Sequence, residues 1–102
     1  VDQCGKQGTR GIAILSAGFR EVGKEGLKLE RQIQKLQKKY DGMRIVGPNS
    51  LGVIVPRIWL NESFAANMPR PGHLSFISQS GALCTSVLDW AEQQNVGFSY
   101  FV

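Results

Sequence analysis

A chain of 102 residues, 42% hydrophobic and 20% charged, is long enough for one small domain or for pieces of two, with an adequate core. No stretch approaches the roughly 18 consecutive apolar residues a membrane helix needs, and the opening VDQCGKQGTR has no apolar signal region, so a cytoplasmic protein with no membrane partner is expected. The net charge of +4 is modest and its basic excess sits in Lys24 to Arg44, where no aromatic or Arg-rich reading motif accompanies it; no nucleic-acid partner is expected, and small anionic ligands suit the balance.

The chain opens on a helix tail, Val1 to Gly8, and reads as the middle of a longer protein. A first strand, GIAILSA, starts at Gly11. Val22, Gly26, Leu29, Ile33, Leu36 and Tyr40 then recur at 3.6-residue spacing, which predicts an amphipathic helix with Lys28, Gln32, Lys35 and Lys39 outward and Asp41-Gly42 as its stop. MRIVG from Met43 is a second strand. Between Val46 and His73 the pattern breaks: all four prolines (Pro48, Pro56, Pro69 and Pro71) fall here among Gly47, Gly52 and Gly72. A connection this long is usually functional or joins domains, and it reads as a ligand loop, GPNSLG, followed by a crossing segment that ends at MPRPG. HLSFIS from His73 is the third strand, and GFSYFV from Gly97 the fourth. The helix between them, Gly81 to Gln94, is expected to bury Leu83, Val87, Trp90 and Ala91 before Asn95 to Gly97 stops it. Strands separated by helices or long connections predict an α/β fold with parallel strands and crossovers. Cys4 and Cys84 match neither a metal-ligand nor a redox spacing, so free thiols and no metal site are expected.

Three strands run into small-residue turns: LSAGF, GPNSLG and ISQSGAL. In open parallel sheets the carboxyl ends of the strands form the ligand edge. Glycine and serine also make plain tight turns, and spacing does not say whether the three face one site. The third has the clearest physical case. Ser80 caps the following helix through its hydroxyl, and Gly81 lets a ligand approach the backbone. The helix carries its own acids, Asp89 and Glu92, in its later half, where they oppose the macrodipole. The free N–H groups of the first turn are thus left for a phosphate or carboxylate; the alternative is a serine cap and nothing more.

The segments LSAGFREVGKEG, GPNSLGVI and PRPGHLSFISQSGAL, in this order and at these distances, resemble the α-type part of the nucleoside-diphosphate-forming acyl-CoA synthetases, the succinyl-CoA ligase superfamily. The likeness spans essentially the whole chain. It implies that residues 1–68 are the C-terminal part of a Rossmann-like CoA-binding domain with a linker, and residues 69–102 the start of a flavodoxin-like, succinyl-CoA synthetase-like domain, the boundary falling near Pro69 to Gly72. The implied reaction joins a carboxylic acid to CoA while ATP or GTP is cleaved to the diphosphate and phosphate, through an acyl phosphate and a phosphohistidine. By resemblance, Ser16, Ala17, Gly18 and Phe19 line the CoA site, and Pro48, Asn49 and Ser50 form the loop near its thiol end. Ser78, Ser80 and Gly81 correspond to the turn that holds the phosphoryl group or phosphohistidine. No catalytic residue is implied within these residues. ATP or ADP, Mg and the ATP-grasp β part, on the same or another chain, are implied outside them, so residues 1–102 alone should catalyse nothing.

Departures narrow the family. Succinate-type ligases usually have Cys-Pro where this chain has Ser50-Leu51, and Arg where it has Gln79. The versions found here look more like the acetate-type, ADP-forming enzymes, or like the ligase-like region of certain protein lysine acetyltransferases, which senses CoA esters and lacks the phosphorylated histidine. A flavodoxin-like FMN or nucleotide binder is the remoter reading. His73 begins a strand, opposite the ligand edge, and is read as non-catalytic.

Overall fold

In the computed structural model, which describes residues 1–102, the chain opens with a short helix, α1 (Asp2–Lys6). Strands β1 (Gly11–Ala13) and β2 (Arg44–Val46) then pair in parallel, in the register Gly11↔Arg44, Ile12↔Ile45 and Ala13↔Val46. Parallel strands need a crossover between them. It is supplied by a 3₁₀ turn at Arg20–Val22 and by α2 (Lys24–Lys39), the expected amphipathic helix. Helix α1 is tied to the C-terminal end of α2 through Asp2, whose carboxylate pairs with Lys6 at 2.8 Å, accepts from the Tyr40 hydroxyl at 2.7 Å and meets Lys39 at 3.0 Å. These contacts, Lys6 foremost, hold its carboxyl well below the usual carboxylate range.

The inward face of α2 differs from the sequence expectation in its rotation. Gly26 and Glu30 are buried, Ile33, Leu36 and Tyr40 are half-buried, and Val22 and Leu29 point outward, Leu29 at 48% exposure. Two local facts set that rotation. A methyl group on Gly26 would stand 1.7 Å from the Phe19 carbonyl oxygen, so the loop after β1 lies directly on the helix there. One turn on, Glu30 takes the inward place because Arg20 supplies the opposite charge.

Residues Val1–Ser50 make one compact unit and Leu51–Val102 another. In the second, β3 (Gly52–Val55) and β4 (Leu60–Ser63) form an antiparallel hairpin, closed by a 3₁₀ turn at Pro56–Ile58 and by Trp59 in the left-handed region at φ 56°. Strand β5 (Pro71–Phe76), helix α3 (Gly81–Gln93) and strand β6 (Phe98–Phe101) complete a second parallel crossover. The sheet order is β4-β3-β6-β5, with β3 antiparallel to β6 at Ile54↔Phe101. The stretch between Val46 and His73 is therefore not a structureless crossing segment. It contains two strands of four residues each, short enough that Pro56 and the neighbouring glycines hide their alternation.

Ile54, Cys84, Ala91, Phe98 and Phe101 form the buried centre of this unit, with Phe76, Val87, Leu88 and Met68 packed around it. Phe101 stacks on Phe76 at 4.8 Å and meets Phe98 edge-on at 4.9 Å. The predicted face of α3 is corrected here: Leu83 and Trp90 are exposed at 50% and 54%, while Cys84 and Ala91 turn to the sheet. Small side chains on that stripe let the helix come close enough for the phenylalanines to fill the space beneath it.

Two substitutions in the full-length protein follow. Gly→Ala in a helix ordinarily stabilises by about 0.5–1 kcal/mol. Gly26→Ala should instead destabilise, by about 1–3 kcal/mol as for other overpacked sites, because the Phe19 carbonyl is backbone and cannot swing aside. Phe101→Ala should cost about 3–5 kcal/mol. Denaturant midpoints of the purified variants measure both, and the sign of the Gly26→Ala effect is the sharper check.

Candidate functional site

In the first unit, the ladder between β1 and β2 runs on past the strands: the Ile14 amide donates to the Val46 carbonyl at 2.9 Å, and the Asn49 amide to the Ser16 carbonyl at 2.9 Å. The second bond joins the two loops that the sequence singles out, Ser16 to Phe19 and Pro48 to Ser50. Ser16, Ala17, Gly18 and Asn49 are exposed; Phe19, Pro48 and Ser50 are half-buried. Gly18 lies at φ 104° and Asn49 at φ 54°, both in the left-handed region, and the Gly47–Pro48 peptide is cis.

Three residues that sequence reasoning missed hold the first loop. The Glu21 carboxylate accepts from the amides of Gly18 at 2.6 Å and Phe19 at 3.1 Å, both through Oε1. These backbone donors, that of Gly18 first, hold its carboxyl below the ordinary carboxylate value. Arg20 grips Glu30, its Nε donating to both carboxylate oxygens at 2.9 Å while Nη2 also contacts Oε1. The Glu30 side chain is only 9% exposed, and its hydrogen bonds to Arg20 keep its carboxyl charged to lower pH than an isolated glutamate. The available signal was a glutamate four residues after Gly26 on an otherwise apolar helix face.

The third turn belongs to the second unit. Ser80 is the N-cap of α3, with its Oγ accepting from the Leu83 amide at 3.3 Å and its carbonyl from the Cys84 amide at 3.0 Å. One residue pair earlier, the Ser78 hydroxyl accepts from the Ser80 amide at 3.1 Å, and the Ser78 amide donates to the Val102 carbonyl at 3.0 Å. The amides of Gly81 and Ala82 make no hydrogen bond within the chain, and nothing lies within 4 Å of where a Gly81 side chain would begin. There is no acid in the first turn. A capped, open helix start of this kind presents two N–H donors and the positive end of the macrodipole.

Other candidates sit apart from these turns. His73 lies at the opening end of β5, exposed, with Nδ1 3.3 Å from Arg57 Nη2. Both cysteines are free, and burial pushes the Cys84 thiol up, with a hydrogen bond to Ser78 acting the other way. No group of three or more His, Cys, Asp or Glu side chains converges to hold a metal ion, and no helix is long and apolar enough to cross a membrane.

Residues 71–102 match the model of the succinyl-CoA ligase like flavodoxin domain. Over its whole length the chain is 43% identical to acetate–CoA ligase (ADP-forming) I of Archaeoglobus fulgidus, of which it spans 15%. It is 41% identical to the α subunit of acetate–CoA ligase (ADP-forming) I of Pyrococcus furiosus, spanning 22% of that protein and all of this one. The acetyl-coenzyme A synthetase 1 of Candidatus Korarchaeum cryptofilum, solved in complex with phosphate and ADP, superposes with a TM-score of 0.88 at 36% identity, over 99% of this chain and 21% of that one. Alike in sequence along its full length and in fold, with the flavodoxin-type match opening at Pro71, the chain is similar to a segment of the ADP-forming acid–CoA ligases of the succinyl-CoA ligase superfamily, and spans less than a quarter of the relatives it matches.

Proposed function

We propose that this chain is the part of an ADP-forming acid–CoA ligase that supplies loops to the CoA site and a helix N-terminus to the phosphoryl group. The whole enzyme would convert a small carboxylic acid, CoA and ATP to acyl-CoA, ADP and phosphate, through an acyl phosphate and a phosphohistidine. Residues 1–68 would close a Rossmann-like CoA domain with a linker and residues 69–102 begin the flavodoxin-like one; the family match that starts at residue 71 supports this boundary, while the compact unit that starts at Leu51 puts β3 and β4 in one sheet with β5 and β6. ATP and Mg²⁺ would be held by an ATP-grasp part elsewhere in a cytoplasmic enzyme. A relative named as an α subunit is consistent with that part residing on another chain in some of these enzymes.

The observation that carries the reading is the start of α3. Its first turn has no acid, its Gly81 and Ala82 amides are unused, and Gly81 leaves the approach open. A phosphate supplies what that end lacks, and a relative of the same fold is known with phosphate bound. Ser16, Ala17, Gly18 and Phe19, tied to Pro48, Asn49 and Ser50 through the Asn49–Ser16 bond, form an uncharged edge with exposed backbone, which suits the pantetheine arm of CoA.

A carboxylate built into the helix start should occupy the phosphate position while still serving the cap, since Asp is as good an N-cap as Ser. In the full-length protein, Ser80→Asp should lower phosphoryl incorporation from labelled ATP at least about a hundredfold, the scale of losing one electrostatic contact in a dry site, with folding intact and CoA affinity little changed. Unchanged incorporation would reduce Ser78, Ser80 and Gly81 to a turn and a cap. No incorporation by the wild-type protein would favour the acetyltransferase-linked sensor instead. Residues 1–102 alone should show no CoA-dependent ATP cleavage; turnover by this segment, purified free of host ligases, would overturn its accessory role.

A further inference from the structure

The loop Ser16 to Phe19 is held through the Ser16 and Phe19 carbonyls and the Gly18 and Phe19 amides, and the way it is held decides which part of it a ligand meets. The Ser16 carbonyl accepts from Asn49, and the Phe19 carbonyl lies against Gly26. The amides of Gly18 and Phe19 both go to Glu21 Oε1. Among the groups that stay open are the Ser16 hydroxyl and the Ala17 amide, both on exposed residues.

A carboxylate beside a loop that takes an anionic ligand is not there to attract it. Coulomb repulsion acts against the ligand at any distance the site allows. The use of Glu21 is geometric: an ionised acceptor makes hydrogen bonds about twice as strong as a neutral one, and two of them hold Gly18 at its left-handed φ of 104°. The next residue back along the 3₁₀ turn, Arg20, is tied to the buried Glu30 of α2, so the carboxylate is carried on an anchored turn and not on a loose one.

Resting on the reading of Ser16 to Phe19 as a CoA loop, we propose that Glu21 is a positioning residue for CoA: it removes the Gly18 and Phe19 amides from ligand binding and presents Ser16 and Ala17 as the contact face. Glu21 touches neither CoA nor the reacting atoms. Its effect falls on the binding of CoA and leaves the ATP half-reaction alone.

Steady-state kinetics of the full-length enzyme, with phosphoryl incorporation from labelled ATP measured alongside, test this. Glu21→Ala should raise the CoA KM about tenfold, with kcat at saturating CoA and phosphoryl incorporation within about twofold of wild type, a tenfold change corresponding to about 1.4 kcal/mol. Glu21→Gln keeps an acceptor oxygen without the charge and should fall between the two. If Glu21→Ala does not fold, Glu21→Gln decides by itself. A CoA KM that falls in Glu21→Gln would mean that the charge acts on CoA directly, and equal losses of kcat and phosphoryl incorporation would mean general structural damage; either overturns the proposal. Ala17→Asp separates this inference from the reading beneath it, since a carboxylate on the contact face should raise the CoA KM whatever Glu21 does. A high KM in Ala17→Asp with a normal one in Glu21→Ala sinks the positioning role and leaves the CoA loop standing. Normal values in both sink the CoA loop itself.

Discussion

Two parallel strands cannot be joined by a tight turn, and this constraint organises both halves of the chain. Each half contains one strand–helix–strand crossover, β1-α2-β2 in the first and β5-α3-β6 in the second. The first strand of each pair must leave the sheet, turn, and start a helix that packs back on it. The result is SAGF after β1 and SQSG after β5, and both place free backbone amides at the edge where ligands of α/β folds bind.

The two turns deal with those amides in opposite ways. After β1, a carboxylate from the same chain takes the Gly18 and Phe19 donors, and the turn becomes a rigid shelf. After β5, serine side chains take only the amides of Ser80 and Leu83, leaving those of Gly81 and Ala82 open. An internal anion and an external one are alternative solutions to the same shortage of acceptors. The turn that keeps its donors unpaired is the one suited to a ligand that comes and goes. The turn that satisfies them internally is suited to holding a fixed shape against a flexible molecule.

Strong periodicity made much of this legible from sequence. The spacing of Gly26, Ile33, Leu36 and Tyr40 gave α2 its extent, and Ser80 ahead of a helix with late acids gave the cap of α3. What escaped reading depends on partners remote in sequence or on backbone angles. The rotation of α2 follows from Arg20 meeting Glu30, which makes a charged residue fit for an inward position and turns Leu29 out. Trp90 looked like core because it is large and correctly spaced, yet the fully buried positions of the helix are the small Cys84 and Ala91, with Val87 and Leu88 beside them. The β3–β4 hairpin has only four residues on each side and a proline at its turn, too little for an alternation to stand out. Glu21 was invisible because its role depends on Gly18 adopting a left-handed φ, which a sequence permits but does not declare.

The strand order of the second unit also sets the sequence in which it can assemble during synthesis. β6 is the last of its four strands to leave the ribosome, yet it lies inside the sheet, between β3 and β5. Until Phe98 to Phe101 emerge, the β3–β4 hairpin and β5 have no common partner, and Ile54 and Phe76 lack the ring that covers them. For that interval the nascent chain carries two open strand edges flanking a gap of one strand's width, a shape that another β-strand could enter.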